Sequence, residues 1–186
     1  MFLKTIFDIS MFGLLSLMLS ILLFHPTVYL AKRFNLMDTP EERKIHKVAT
    51  PRIGGLMIFV SFFVIYVISE KYMYLMSSTN FSKPIFLISA ILAFMLGFID
   101  DLVGLRAYKK LIIQVLIGLM VAYSGLKFQT IYLMGLQINF GLFSYIITAL
   151  WVVALFNAIN LIDGMDGLAS GIVIIALIFS LVVSII

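Results

Sequence analysis

The sequence contains no cysteine, only two histidines and few charged residues for a chain of 186. Without cysteine, the protein has neither disulfides nor thiolate metal sites. Charged residues make up 12% of the chain, whereas a soluble globular domain carries about 25%. Hydrophobic residues reach 63% and the mean hydropathy is +1.17, which argues against a water-soluble fold. The net charge of +4 is too small and too dispersed to indicate nucleic-acid binding.

Long apolar runs divide the chain into six predicted membrane spans. A helix needs about 20 apolar residues to cross a bilayer, and about 17 are tolerated. The candidate spans are residues 9–31, 53–69, 83–99, 111–126, 143–158 and 168–186. The first run is longer than the apolar part of a signal peptide, so we treat it as a retained helix. We therefore predict one integral membrane domain over 1–186, an all-α polytopic transmembrane helical bundle.

The stretch 127–141 departs from this helical pattern. Apolar Leu136 and Ile138 alternate there with polar Gln137 and Asn139. Alternation with a period of two is typical of a β-strand. The sequence therefore predicts a small external β-hairpin between the fourth and fifth spans.

Lysine and arginine are distributed unevenly between the two sides of this bundle. The loops 32–52 and 100–110 carry nine of them, and the rest of the chain carries four. Loops rich in Lys and Arg stay in the cytoplasm, which makes loops 32–52, 100–110 and 159–167 cytoplasmic and the amino terminus external. Seven of the nine carboxylates fall on the same side. Because membrane insertion sorts cations and barely sorts acids, the carboxylates need another explanation.

Asp100 and Asp101 form the first polar constellation, at the inner end of the third span in Gly97-Phe98-Ile99-Asp100-Asp101-Leu102-Val103-Gly104-Leu105. Two adjacent carboxylates near hydrocarbon repel each other unless a cation or proton compensates. A hard divalent cation such as Mg²⁺, sharing phosphate oxygens, meets that need. The alternative is a solvated Asp pair that merely ends a helix.

The second constellation repeats a polar residue at every third position, as Asn157, Asn160, Asp163 and Asp166. Neighbours three apart share a helix face, but the stripe drifts by about 180° over the run, so one straight helix cannot aim all four at one ligand. Glycines 164 and 167 predict a break in the helix that brings the two aspartates together. The alternative is a hydrogen-bonding stripe between helices followed by a glycine turn.

The third constellation is basic. It comprises Arg43-Lys44-Ile45-His46-Lys47 and, just before the second span, Pro51-Arg52-Ile53-Gly54-Gly55. Cations beside glycines that permit close backbone approach suit phosphate groups at the membrane surface. Lys109 and Lys110 lie a short loop from Asp100 and either serve the same phosphates or anchor the fourth helix. A basic loop that only fixes topology or touches anionic lipid is the alternative for the whole constellation.

Together, the order and spacing of these motifs resemble the polyprenyl-phosphate N-acetylhexosamine-1-phosphate transferases. The last motif, Asn157-Ala158-x-Asn160-Leu161-x-Asp163-Gly164-x-Asp166-Gly167, is the most specific. That family has ten or eleven helices, so the resemblance covers its amino-terminal half or so. Pro51-Arg52-x-Gly54-Gly55 and Gly104 look like the branch that uses UDP-N-acetylhexosamine. The peptidoglycan branch, which transfers phospho-N-acetylmuramoyl-pentapeptide, usually has Pro-Thr-Met-Gly-Gly and a lysine at the position of Gly104.

The resemblance implies a reaction and a set of site residues. UDP-N-acetylhexosamine and undecaprenyl phosphate would give UMP and undecaprenyl-diphosphate-N-acetylhexosamine, with Mg²⁺ or alternatively Mn²⁺. The implied catalytic residues are Asp100 and Asp101, and the implied metal ligands are Asp100, Asp101 and Asp163. The implied substrate-binding residues are Asn160, Asp163, Asp166, Lys47, Arg52 and Lys110. The implied location is the bacterial cytoplasmic membrane, with the active site on its cytoplasmic face, and a homodimer is compatible with the sequence.

Other classes stay open at this level. A prenyltransferase or CDP-alcohol phosphotransferase also uses Asp clusters and Mg²⁺, but their longer Asp spacings are absent. An ion-coupled transporter would hold its acids near mid-membrane at broken helices, whereas these acids cluster at helix ends. The family also carries a further metal-ligating aspartate and a histidine-rich loop downstream. We therefore expect the chain to be a fragment that is inactive alone.

Overall fold

The computed structural model of the protein describes residues 2–38, 50–72, 81–133, 135–163 and 167–185. These residues form six helices, which confirms the predicted all-α bundle. The helices are α1 (Phe2–Arg33), α2 (Gly55–Tyr72), α3 (Lys83–Val103), α4 (Ala107–Tyr123), α5 (Phe143–Ile162) and α6 (Leu168–Ile185). Each coincides with one predicted span to within a few residues, except that α1 begins earlier.

Helix length separates these six elements into two groups. Within the described residues, three segments are long and apolar enough to cross a membrane: Ser10–Arg33, Lys83–Val103 and Phe143–Ile162. The apolar parts of α2 and α6, Gly55–Ser69 and Leu168–Val183, are shorter. Helix α4 has 17 residues and spans roughly 25 Å at 1.5 Å per residue, less than the ~30 Å hydrocarbon core. Helix α4 alone is therefore shorter than the thickness of the hydrocarbon core.

Two short antiparallel hairpins connect the helices. Strand β3 (Thr130–Leu133) pairs with β4 (Leu136–Asn139), which confirms the hairpin predicted for 127–141. Strand β1 (Met37–Asp38) pairs with β2 (Thr50–Pro51), and this pairing was not predicted. Two-residue strands are too short to show a period of two, so their pairing leaves no signal in the sequence.

Burial in this bundle is the reverse of that in a soluble protein. Many of the large apolar side chains are exposed; Leu22, for example, is 71% exposed. Small and polar residues lie between the helices instead, including Thr27, Ser61, Ser89, Ser124 and Ser144. Small residues let membrane helices approach closely, while lipid covers the apolar outer surface. The protein is therefore an integral membrane protein.

Helices α4 and α5 are in close contact at Gly118. A Cβ atom placed on Gly118 would lie 2.8 Å from the Cα and 2.9 Å from the carbonyl oxygen of Ala149. Real Cβ atoms do not approach backbone atoms so closely, so the two helices are in contact only because position 118 lacks a side chain. This contact sets the distance between the two helices that carry much of the candidate site.

Gly118→Ala is expected to separate α4 from α5 and to lower the thermal stability of the purified protein, by about 1–3 kcal/mol as for other overpacked contacts. Thermal unfolding in detergent would measure this change. Gly171→Ala, in α6, is the matched control because a Cβ there meets nothing within 4 Å. A Gly118→Ala protein that unfolds at the same temperature as Gly171→Ala would contradict the close contact.

Candidate functional site

The described residues of the three polar constellations meet at one end of the bundle. Helix α3 ends there, α4 begins there after a short connection, and α5 ends there at Ile162, with Asp163 as its cap. At the opposite end, the Ser82 N–H donates to the Ser124 carbonyl at 2.7 Å, and the β3–β4 hairpin follows. Helix ends that alternate in this way gather the carboxylates of distant segments on one side of the membrane.

Asp100 is held by both of its carboxylate oxygens. The Lys110 ammonium contacts Oδ2 at 2.5 Å, and the Leu105 N–H donates to Oδ1 at 3.0 Å. This turn is possible because Gly104 ends α3 in the left-handed conformation, with φ +68°, and its N–H donates to the Asp100 carbonyl. A side chain is disfavoured at that φ. The spacing Asp100-Asp101-x-x-Gly104-Leu105 thus encodes a cap that orients the first carboxylate.

A cavity of about 490 Å³ opens beside this ion pair. Its polar lining comes from α3, α4 and α5 and consists of Asp100, Asp101, Lys110, Gln114, Asn160 and Asp163. Its apolar lining includes Leu96, Val152, Leu155, Phe156 and Ile159. Val152, Leu155 and Phe156 precede the polar residues of α5 by one to three helical turns, so they lie deeper in the membrane. The cavity therefore has a charged end near the loops and an apolar interior deeper in the membrane.

A second cavity, of about 590 Å³, shares the aspartate pair. It is lined by Thr50, Arg52, Asp100, Asp101, Leu102, Val103 and Gly104. Asp101 lies within electrostatic reach of Arg52 and Lys110 as well as of Asp163. The basic entry to α2 and the acidic end of α3 therefore form one electrostatic unit.

Most of the predicted site residues come together here. Arg52, Asp100, Asp101, Lys110, Asn160 and Asp163 line one or both cavities. Predicted residues Lys47 and Asp166, and the basic stretch 43–47, lie outside the described residues. Lys109 is exposed and lines neither of these cavities, so only Lys110 of that lysine pair belongs to the site.

The polar residues at every third position of α5 do not all face the same site, as the geometry of a straight helix predicts. Asn160 and Asp163 line the first cavity, whereas the Asn157 amide is turned towards α4, where it donates to the Gln114 Oε1 at 2.9 Å. Helix α5 ends at Ile162, and Gly167 has φ +76° before α6 begins. The predicted break between the two helices is thus confirmed at Gly167, while Gly164 lies outside the described residues.

Sequence reasoning missed Gln114. Its side chain is 1% exposed and it lines the first cavity. The available signal was a single amide inside an otherwise apolar span, because polar side chains within a membrane usually serve a function.

The arrangement favours some aspartates over others as metal ligands. Among the described residues, no three His, Cys, Asp or Glu side chains are close enough to hold an ion by themselves. Asp100 is engaged by Lys110 and Leu105. Asp101 and Asp163 are both exposed, line the same cavity and interact electrostatically. Two carboxylates with room for phosphate oxygens suit Mg²⁺, which prefers one or two carboxylates plus substrate phosphates.

A membrane bundle with paired acids and bases at one end, around a cavity with an apolar interior, is suited to joining a lipid to a phosphate compound. Residues 83–186 match the family described as Glycosyl transferase family 4. This match covers more than half of the chain, and the chain belongs to that family.

Curated relatives agree with this assignment. The chain is 34% identical over 163 residues to a probable undecaprenyl-phosphate N-acetylglucosaminyl 1-phosphate transferase of Bacillus subtilis, covering 86% of this chain and 44% of the relative. It is 33% identical over 161 residues to a phospho-N-acetylmuramoyl-pentapeptide-transferase of Clostridium botulinum, covering 80% and 48%. It is 27% identical over 170 residues to a decaprenyl-phosphate N-acetylglucosaminephosphotransferase of Mycobacterium tuberculosis, covering 88% and 42%. The chain thus spans about half the length of these relatives, and no solved structure matches it significantly.

Proposed function

We propose that the protein transfers N-acetylhexosamine-1-phosphate from a UDP-sugar to undecaprenyl phosphate, releasing UMP, as a first membrane step of cell-envelope glycan synthesis. The observation that carries this proposal is the Asp100–Lys110 ion pair at the charged end of a cavity whose interior is apolar. A polyprenyl chain fits the apolar part, while its phosphate reaches the cation. The B. subtilis relative, whose name states this type of activity, supports the same reading.

The two substrates would approach from different parts of the site. The lipid phosphate would lie beside Asp100 and Lys110. The nucleotide sugar would lie on the side of Asn160 and Asp163, together with Asp166, and Arg52 and Lys47 would bind phosphates. Asn160 and Asp163 occupy the last turn and the cap of α5, at the loop end where a water-soluble substrate arrives.

The reaction exchanges one phosphoanhydride for another. An oxygen of the lipid phosphate attacks the β-phosphorus of the UDP-sugar, and a new P–O–P linkage forms. The bond between that phosphorus and the oxygen bridging to the α-phosphate breaks, and UMP leaves with the electron pair. Both reactants are anions, so cations are needed to reduce their repulsion and to stabilise the charge that builds on the transferred phosphate.

Asp100 serves better as an orienting group than as a base. Both of its carboxylate oxygens accept hydrogen bonds, from Lys110 and Leu105. A phosphate monoester has a second pKa of about 6, so at pH 7 most of the lipid phosphate already carries an unprotonated attacking oxygen. Asp100 therefore acts by holding the Lys110 ammonium where that phosphate binds.

Asp101 and Asp163 would hold the divalent cation, Mg²⁺ or alternatively Mn²⁺, with Asp100 adjacent. When bound, such an ion supplies positive charge to the phosphates of the UDP-sugar. The two carboxylates otherwise repel each other, so the ion also offsets their mutual electrostatic cost.

The proposed location is the bacterial cytoplasmic membrane, with this end of the bundle on the cytoplasmic side. In the topology predicted from the sequence, the loops on this side carry nine of the thirteen lysines and arginines, as the positive-inside rule requires. UDP-sugars are water-soluble nucleotides, which suits a site that opens at the loops. A homodimer remains compatible with the exposed apolar surface.

UMP release tests the proposed function directly. Because the chain spans about half the length of its relatives, the assay uses membranes from cells that express the complete gene containing this sequence. These membranes are incubated with UDP-GlcNAc and undecaprenyl phosphate. We expect UMP and a lipid-linked diphosphate sugar, both absent when undecaprenyl phosphate is withheld or when EDTA removes the metal. Release of CMP from CDP-alcohols, of pyrophosphate from prenyl diphosphates, or of nothing from any donor would contradict the proposal.

A second candidate is transfer of phospho-N-acetylmuramoyl-pentapeptide, because the C. botulinum relative bears that name at nearly the same identity. Gly104 favours the first candidate, since this position has φ +68° and the peptidoglycan branch usually has lysine there. Parallel assays with UDP-GlcNAc and UDP-N-acetylmuramoyl-pentapeptide separate the two, because only the correct donor releases UMP.

Lys110→Met is expected to lower kcat/KM for UMP release by about a hundredfold, the usual cost of removing one donor to a developing phosphate charge. It also leaves the Asp100 carboxylate without its ion-pair partner. Lys109→Met is the matched control, because Lys109 is the exposed neighbour that lines neither cavity. Equal activities of the two variants would contradict the assignment of Lys110 to the site.

A further inference from the structure

Gln114 is buried, yet only part of its amide is bonded. The side chain is 1% exposed, and its Oε1 accepts a hydrogen bond from the Asn157 Nδ2 at 2.9 Å. Its Nε2 has no hydrogen-bond partner within the described part of the chain. A buried donor without a partner costs stability, so natural proteins rarely retain one without a reason.

The Asn157 amide determines which atom of the Gln114 amide lacks a hydrogen-bond partner. Asn157 Nδ2 also donates to the Val153 carbonyl at 2.8 Å. A backbone carbonyl can only accept, so Asn157 must present its NH₂ group on this side. The Gln114 atom that faces this NH₂ must then be its oxygen. The Gln114 NH₂ is consequently held ready for an acceptor that the described residues do not provide.

Gln114 also lines the first cavity. Gln114 follows Lys110 by one helical turn on the same face of α4, and both side chains line the cavity. Helical side chains lean towards the helix amino terminus, so Gln114 leans towards the turn that carries Lys110. The same cavity is also lined by apolar Leu155 and Phe156 of α5.

We propose that the Gln114 Nε2 donates a hydrogen bond to an oxygen of the lipid phosphate, beside the Lys110 ammonium, and so selects phosphorylated polyprenol over polyprenol. The proposal rests on the proposed function and adds a substrate-binding residue to it. A lipid phosphate is favoured over a phosphate of the nucleotide because Gln114 lies a turn deeper than Lys110, among apolar residues. A neutral donor suits that depth, since a second cation there would be costly to desolvate.

Binding of two lipids to the purified chain tests the proposal without requiring turnover. Undecaprenyl phosphate and undecaprenol are titrated in detergent and followed by native mass spectrometry, with UDP-GlcNAc as a third ligand. Gln114→Glu keeps the size and replaces the donor by an acceptor, and Gln114→Met removes the amide without adding a buried charge. Gln137→Glu, on the exposed strand β4, is the matched control.

Both Gln114 variants are expected to bind undecaprenyl phosphate about tenfold more weakly or worse, the scale of one hydrogen bond to a charged group. Binding of undecaprenol and of UDP-GlcNAc should stay unchanged, as should every ligand in Gln137→Glu. Unchanged preference for the phosphorylated lipid in a folded Gln114 variant would overturn the role of Gln114 alone. Weakened UDP-GlcNAc binding instead would assign the donor to the nucleotide sugar and also overturn it. A wild-type chain with no preference for the phosphorylated lipid would overturn the proposed function together with this inference.

Discussion

Asp100→Asn is expected to reduce UMP release from UDP-GlcNAc to background, a loss of about a hundredfold or more. The amide keeps the shape of the side chain but loses the charge that pairs with Lys110. Without that charge, the ammonium is no longer held in one place between α3 and α4. The assay uses membranes carrying the wild-type or variant protein at matched amounts, with Lys109→Met as an unaffected control.

The pH dependence of this loss separates two roles for Asp100. A base is needed only while the lipid phosphate is protonated, so a lost base would matter less above the second phosphate pKa of about 6. If Asp100 only orients Lys110, its loss would lower the rate of UMP release by the same factor at pH 5.5 and at pH 8. We expect a constant loss across this range. Recovery at high pH would indicate a base, and near-normal turnover at all pH values would remove Asp100 from the mechanism.

Asp163→Asn is expected to abolish UMP release to a similar degree, for a different reason. Asp163 caps α5 and is exposed to the first cavity, where it interacts electrostatically with Asp101. Removing its charge leaves Asp101 as a single carboxylate for the divalent cation, which weakens binding of the ion. The Mg²⁺ concentration that gives half-maximal activity should therefore rise, and any residual activity should return at high Mg²⁺.

Two comparisons sharpen this test. Asp163→Glu retains the carboxylate and should keep more activity than Asp163→Asn. Binding of undecaprenyl phosphate to the Asp163→Asn protein should be unchanged, since the lipid phosphate is assigned to Asp100 and Lys110. Normal turnover, or a normal Mg²⁺ requirement with low turnover, would contradict a metal-binding role for Asp163.

The positions of the helices follow from local features of the chain. Apolar runs of suitable length identify all six helices, and the alternating stretch around Leu136 identifies the β3–β4 hairpin. Both signals depend on residues a few positions apart, which is the range over which periodicity is informative. The β1–β2 pairing joins short segments on either side of residues 39–49 and has no such signal.

The site was predictable to the extent that its residues fall into compact motifs. Asp100 and Asp101, and likewise Asn160 and Asp163, stand out because carboxylates and amides are rare at the ends of apolar helices. Gln114 did not stand out, because a lone amide in an apolar run is also compatible with simple packing. Its contact with Asn157, on another helix, distinguishes the two interpretations.

The sequence by itself determined that this is a membrane protein, and it predicted that its carboxylates and cations gather at one set of helix ends. Scarcity of charge, lengths of apolar runs and the bias of Lys and Arg are properties of composition and order, so they need no coordinates. Only the tertiary structure decided that Lys110, not Lys109, pairs with Asp100. It also decided that the Asn157 amide points towards α4, where its hydrogen bond to Oε1 orients the Gln114 amide. These choices depend on how closely α3, α4 and α5 pack, and the absence of a side chain at Gly118 allows the close contact between α4 and α5. Contacts between helices distant in the chain leave no periodic trace in a single sequence.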